Sequence, residues 1–322
     1  MEPGNQASRP AWPVAAAEQV ATLGGHAGGV AALAFTPDRC LLAVAARNGP
    51  ARLWNLAGPN PRERGNLGAG DTRFTALAFS ANSRLVACGS GSVDGLIWLY
   101  DVTEKEPQQA GLLRGARGAA GAVGFSADNK LVAGAGDDLT LRIWDVSNPK
   151  GDPRTQLLGH TKPVRALTFS PDGQGIATAG PDGTARVWAL SRIRSWERAK
   201  LPHAGEVTAL AFAPDGKALA TAGRDGVIRL WDPTAFKPSP RAELKGPAGA
   251  IHLLLMTPDT LISVGDGPRV THWDIYGGKP VREWEVPGGP ATAAAITPDG
   301  RYLAAGNAAG TVGVYRVAEK RA

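Results

Sequence analysis

The sequence has 322 residues, 43% of them hydrophobic, with 42 glycines and 25 prolines spread along it and a formal charge of +6 from 35 basic and 29 acidic residues. That apolar content excludes a disordered or collagen-like chain, the evenly scattered Gly and Pro exclude long helices, and the charge excess is too mild to imply a nucleic-acid partner by itself. Cys40 and Cys88 lack the spacing of a disulfide framework or zinc knuckle, and neither a signal-peptide pattern nor a bilayer-length apolar run occurs, so a soluble, cytoplasmic protein is expected.

In chain order, a tail of residues 1–17 is followed by a short strand, "EQVATL", and then by an apolar string, "VAALAF", that recurs as "FTALAF", "AGAVGF", "VRALTF", "VTALAF", "IHLLLM" and "ATAAAI". Repetition at this period is the signature of a repeat architecture. The strings end at Phe35, Phe79, Phe125, Phe169, Phe212, Met256 and Ile296, spaced 44, 46, 44, 43, 44 and 40 apart. A second ruler, Trp54, Tyr100, Trp144, Trp188, Trp231, Trp273 and Tyr315, is spaced 46, 44, 44, 43, 42 and 42. Both give seven units.

Each apolar string runs into a turn such as "TPDR" or "SPDG", where Pro presets φ and Asp and Gly complete the reversal. A second short strand, another turn and a third strand ending at the aromatic ruler follow, and a more polar fourth strand precedes the next string. The strings lack polar alternation, so both their faces must be covered by neighbouring sheets. Four-stranded sheets that need cover on both sides close economically into a ring. The expected fold is all-β, a single seven-bladed β-propeller over residues 18–317, with a tail of 318–322. The last unit has no fourth strand of its own, so the N-terminal strand is expected to complete it.

The unit resembles the WD repeat, which carries Gly-His before its first strand and Trp-Asp at the end of its third. Trp-Asp stands at Trp144-Asp145, Trp231-Asp232 and Trp273-Asp274, and the His position is held by His26, His160 and His203. The resemblance implies a scaffold that holds partners. It also implies a hydrogen-bonded network of His, Asp, Ser or Thr, and Trp, complete in repeat four (His160, Thr178, Asp182, Trp188) and repeat five (His203, Thr221, Asp225, Trp231). Repeat one keeps His26 and Trp54 but has Asn48 in place of Asp, repeats two and three keep Asp94 and Asp138 without His, repeats six and seven have neither in place, and repeats four and five should be the stiffest. A His-Asp-Thr set also invites a hydrolytic reading, but its recurrence together with a Trp favours a structural role. His272, beside Trp273, reads as a packed or surface residue.

No carboxylate falls on the innermost strands to act as a base or metal ligand, and no Gly-rich phosphate loop occurs, so no catalytic, cofactor or metal residue and no small-molecule substrate is expected. Carried over by position from WD-repeat proteins, partner-binding side chains fall at Ala31, Thr75, Gly121, Arg165, Thr208, His252 and Thr292, and at Arg47, Val93, Asp137, Pro181, Arg224, Asp266 and Ala308. Arg165, Arg224, His252 and Asp266 come from adjacent blades and are expected to form one polar patch. The linker at 191–200 places Arg192, Arg194, Arg198 and Lys200 around Trp196 on the opposite face, a pattern that suits nucleic acid. The leading expectation is a monomeric, non-enzymatic platform for another protein or domain, with nucleic acid as second partner class and a hydrolase or lyase at the channel mouth as third. The excess of Ala, Gly and Arg suggests a GC-rich bacterial gene.

Overall fold

The computed structural model describes residues 18–316 except 59, 192, 236–238, 246–248, 258–259, 267–268, 276 and 286–290. The expected tails, Val317 and Arg192 lie outside the described residues. Seven four-stranded antiparallel sheets are arranged in a ring, and the described residues contain no helix. Blades 1 to 7 span 30–67, 74–113, 122–158, 166–202, 207–245, 251–285 and 291–316. In each, the first strand lies innermost, against the first strands of both neighbours, and the second, third and outer strands follow. The outer strand of blade 7 is Glu18–Leu23, paired with Val312–Arg316 from Glu18↔Arg316 to Leu23↔Val312. The chain's beginning therefore closes its end.

The aromatic ruler serves the joints between blades. Tyr100 packs among blade 1 side chains, Trp144 among those of blade 2, Trp188 of blade 3, Trp231 of blade 4, Trp273 of blade 5 and Tyr315 of blade 6, while Trp54 of blade 1 packs against blade 7. Each third strand thus plugs the blade before it. At the closing joint, the backbone amide and the ring Nδ1–H of His26 both donate to the Gly310 carbonyl, at 3.3 and 3.0 Å. Gly310 has φ +80°, and a Cβ there would stand 2.0 Å from the His26 carbonyl oxygen, so no larger residue fits.

On the lower face, the turn between first and second strand holds six residues in six blades, for example between Phe35↔Leu42 and between Phe212↔Leu219. Its fourth residue is left-handed, a glycine in blades 4, 5 and 7 (Gly173, Gly216, Gly300). Blades 1 to 3 instead carry Arg39, Ser83 and Asn129 at φ 66°, 58° and 61°, a conformation that costs a side-chain-bearing residue about 1 kcal/mol. Each of these side chains reaches the turn of the blade before. Arg39 donates to Asp299 at 2.6 Å, Ser83 Oγ accepts from the Asp38 amide at 3.3 Å, and Asn129 Oδ1 accepts from the Asn82 amide at 3.0 Å.

Blade 4 contains the expected network intact. The His160 Nδ1–H donates to Asp182 Oδ2 at 2.8 Å, the Thr178 hydroxyl donates to His160 Nε2 at 2.8 Å, and the Trp188 indole N–H donates to Thr178 Oγ1 at 2.8 Å. Blade 5 departs from expectation, because Arg229 stands between His203 and Asp225. Its guanidinium donates to His203 Nδ1 at 3.0 Å and to Asp225 Oδ2 at 2.7 Å. His203 must then carry its proton on Nε2 and donate to Thr221 Oγ1 at 2.9 Å, the opposite tautomer from His160. The difference lies in the outer strands. In blade 4, Arg186 is drawn outward onto Glu197, leaving Asp182 to the imidazole, whereas Arg229 holds Asp225 and Glu243 together.

Blade 1 keeps both rings, His26 and Trp54, with centroids 6.0 Å apart against 6.4 Å in blade 4 and 5.9 Å in blade 5. Val44 occupies the register position of Thr178, opposite Arg52 as Thr178 is opposite Arg186. No hydroxyl bridges the rings, so His26 Nε2 and the Trp54 indole N–H are buried without a hydrogen-bond partner among the described residues. Blade 6 retains half the set, with the Trp273 indole donating to Ser263 Oγ at 2.9 Å. His272 is half-buried, and burial of its ring, followed by the charge of Arg282, pushes its pKa down to about 4.

Removing residues 1–24 should leave the third strand of blade 7 as a bare edge, with a lower melting temperature and concentration-dependent light scattering; a truncated chain that melts like the full one would contradict the closure. Val44→Thr should raise stability by about 1 kcal/mol by giving two orphaned groups one shared partner, read as a higher denaturation midpoint at unchanged slope. Burial, followed by Arg229, pushes the His203 pKa down to about 4, and burial also holds His26 and His160 below the usual imidazole range. The unfolded chain takes up protons on these residues as pH falls through about 6.5 while the folded one does not. Stability should therefore be full above that pH and decline as it falls toward 4. His203→Gln should flatten part of this decline in a melting-temperature series, and an unchanged slope would count against it.

Candidate interaction surface

The upper face carries the turns between second and third strands and the entries to the first strands. In blades 1, 2, 5, 6 and 7 the first strand bulges at Ala31, Thr75, Thr208, His252 and Thr292, where the register shifts by one residue. A bulge leaves its extra residue outside the ladder and re-aims its side chain. Gly121 and Arg165 stand just ahead of the first strands of blades 3 and 4. These seven positions thus lie at bulges or strand entries.

The three threonines use their hydroxyls on the ring itself. Thr75 donates to the Ala120 carbonyl of blade 3 at 3.0 Å, Thr208 to Ile251 of blade 6, and Thr292 to Val30 of blade 1 at 2.8 Å. Each is a clip to the following blade, and that of Thr292 spans the closing joint.

The expected single patch divides in two. Arg165 pairs with Asp137 of blade 3 at 3.1 Å and lies across Gly121, where a Cβ would meet its guanidinium nitrogen at 2.9 Å. It therefore points back toward blade 3. In blades 5 and 6 a second group forms, with Arg224 paired to Glu206 at 2.6 Å and His252 hydrogen-bonded to Asp266. The His252 bond first, then the Ala250 amide at 2.9 Å and the charge of Arg224, hold the Asp266 carboxyl below the usual range. Glu206, which the repeat positions did not single out, pairs with Arg224 and so joins this polar group. Its only signal in the sequence was its place two residues before Thr208. Arg47, Val93 and Ala308 are exposed and Pro181 is half-buried; none of the four has an ion-pair role in either group.

The basic run at 191–200 is not a loop throughout. Trp196–Pro202 forms the outer strand of blade 4, so Trp196, Arg198 and Lys200 line its exposed side while Arg194 precedes it. Glu197 is bound by Arg186, and Asp172 feels the charge of Arg198, so acidic groups interrupt the basic face. Ile193 is 99% exposed and Trp196 50% exposed. The His160–Asp182 pair, by contrast, is 1% and 2% exposed. Burial alone would raise the Asp182 pKa, but hydrogen bonds from His160, Thr184 and the Thr161 amide outweigh it and keep the carboxyl ionised. The set is sealed from substrates, as a structural network requires.

The family model for WD domain, G-beta repeat matches residues 17–55, 65–101, 108–145, 151–189 and 196–232, more than half of the chain. Among curated proteins, the 66 kDa stress protein of Physarum polycephalum is 30% identical over 128 residues, covering 40% of this chain and 20% of the relative. Actin-interacting protein 1-2 of Arabidopsis thaliana is 30% identical over 128 residues, covering 39% and 20%. SIR4-interacting protein SIF2 of Saccharomyces cerevisiae is 39% identical over 70 residues, covering 22% and 12%. The matched segments thus make up a fifth or less of these relatives' own length, and none of the three supports the bacterial origin expected from composition.

Proposed function

The chain belongs to the WD-repeat family of β-propellers, and from that premise we propose that it is a non-enzymatic platform that docks another protein, or a domain of a larger assembly, on its upper face. The observation that carries this reading is the chain of polar contacts Glu206–Arg224–Asp266–His252 across blades 5 and 6. It is exposed at Arg224 and His252, held at a bulge and a tight turn, and built on the blade joint that Thr208 clips. Preorganised charges of this kind favour specific protein contacts, because little side-chain freedom is lost on binding. Two of the relatives carry names that describe interaction with another protein. In support of the non-enzymatic part, the His-Asp-Thr set sits inside a blade.

The test is affinity purification from the source cell with wild type and an Arg165→Ala, Arg224→Ala double variant. The expected outcome is a protein recovered in stoichiometric amount with wild type and lost with the variant, at an unchanged melting temperature. Equal recovery by both, or recovery of nothing, would count against the upper face. Binding to an oligonucleotide that weakens steeply with salt would move the reading to nucleic acid and the outer strand of blade 4.

A further inference from the structure

The first-to-second-strand turn of blade 6 differs from the other six. Met256 pairs with Leu261, leaving four residues between them where the other blades have six. In five of the other blades this turn is an arm that approaches the blade before: Arg39, Ser83 and Asn129 do so through hydrogen bonds, and Gly216 and Gly300 lie where a Cβ would be 3.9 Å from Pro171 and from Thr257 of the preceding blades, whereas a Cβ on Gly173 of blade 4 would have nothing within 4 Å. Blade 6 is two residues short of that arm. Between blades 5 and 6 lies a cavity of about 760 Å³ whose walls are Leu230, Ala242, Met256 and Ile275, with Lys217 and Arg241 at its rim. A second cavity of about 670 Å³ shares Pro214, Asp215, Lys217 and Arg241 with it and extends toward Pro171 of blade 4.

We propose that this groove, which lies beside the short turn of blade 6, docks an extended peptide from a partner protein, placing an apolar side chain between Leu230 and Met256 and a carboxylate on Lys217. The inference rests on the reading of the chain as a docking platform and adds a second surface, on the lower face. The rim carries Lys217, Arg241, Asp215 and Asp232. Arg241 and Asp232 hold one another, and Asp232 also accepts from Thr234. Asp215 accepts the amide of Lys217 at 2.9 Å, but the exposed Lys217 ammonium has no carboxylate within ion-pair distance among the described residues. It is the cation left to a ligand. The outer strand Pro240–Lys245, which carries Ala242 into the groove, ends its sheet and so offers an open edge to an extended backbone.

The experiment selects displayed random linear peptides on the full chain, then measures synthetic copies of the enriched sequences by fluorescence anisotropy. Three variants are compared with wild type: an insertion of Gly-Lys between Asp259 and Thr260, which restores the turn length of blade 5; Lys217→Glu, which keeps the fold and reverses the rim charge; and the Arg165→Ala, Arg224→Ala double variant. The expected peptides combine an aliphatic or aromatic residue with a nearby Asp or Glu. They should bind at least about tenfold more weakly to the insertion and Lys217→Glu variants and equally well to the double variant. No enrichment, or equal binding to Lys217→Glu, overturns the proposal. Peptides lost only with the double variant would overturn the groove and leave the upper-face reading standing. Peptides lost only with the groove variants, beside a cellular partner indifferent to Arg165 and Arg224, would do the reverse.

Discussion

Every blade of this ring is incomplete until the next one covers it, and the joints between sheets carry that constraint. Alanines in six of the seven first strands let neighbouring sheets approach closely near the axis, where the ring is narrowest. Farther out, the aromatic residue that ends each third strand fills the widening gap against the blade before it. Small inside and large outside is the taper that a radial stack of sheets demands. The closing joint obeys the same rule with more fastenings, namely the outer strand Glu18–Leu23, the His26 bonds to Gly310, the Thr292 clip and the Arg39–Asp299 pair. The break in the chain lies inside blade 7, where the ladder between Glu18–Leu23 and Val312–Arg316 stands in for the connection that joins third and outer strands in the other blades, and the remaining three contacts hold blade 7 to blade 1.

The joints also account for differences between blades of similar sequence. Blades 1 to 3 place non-glycine residues in left-handed backbone and recover the cost through bonds to the preceding turn, whereas blades 4, 5 and 7 use glycine and make no such side-chain bond. The polar networks inside blades vary in the same way. His160 and His203 occupy equivalent sites but hold opposite tautomers, because Glu197 draws one arginine away and Glu243 keeps the other close. Blade 1 shows what the shared hydroxyl does by lacking it, since two rings in the usual geometry are left without a bridge.

Interaction surfaces follow from these internal arrangements. A bulge aims His252 outward, where it meets Asp266, yet equivalent bulges turn Thr75, Thr208 and Thr292 onto the next blade's carbonyls. A short hydroxyl can reach the neighbouring backbone and a long imidazole cannot fold back onto it. The same position therefore fastens the ring where it carries a hydroxyl and faces outward where it carries an imidazole.

Number, order and closure of the blades were legible in the sequence. Two aromatic and apolar rulers repeat seven times, and the count of strands leaves one spare at the start and one missing at the end, an argument that needs only local chemistry. The network of blade 4 was legible too, since its partners sit at fixed offsets within one repeat. Contacts between repeats were not, because they depend on which side chains from different blades come within bonding distance. The split of the expected polar patch, the entry of Glu206, the insertion of Arg229 beside His203 and the use of three threonines as clips all arise there. The turn of blade 6 shows the boundary most plainly. Its missing residues can be counted in the sequence, but the groove appears only when the sheets are stacked, because it is a space between two blades.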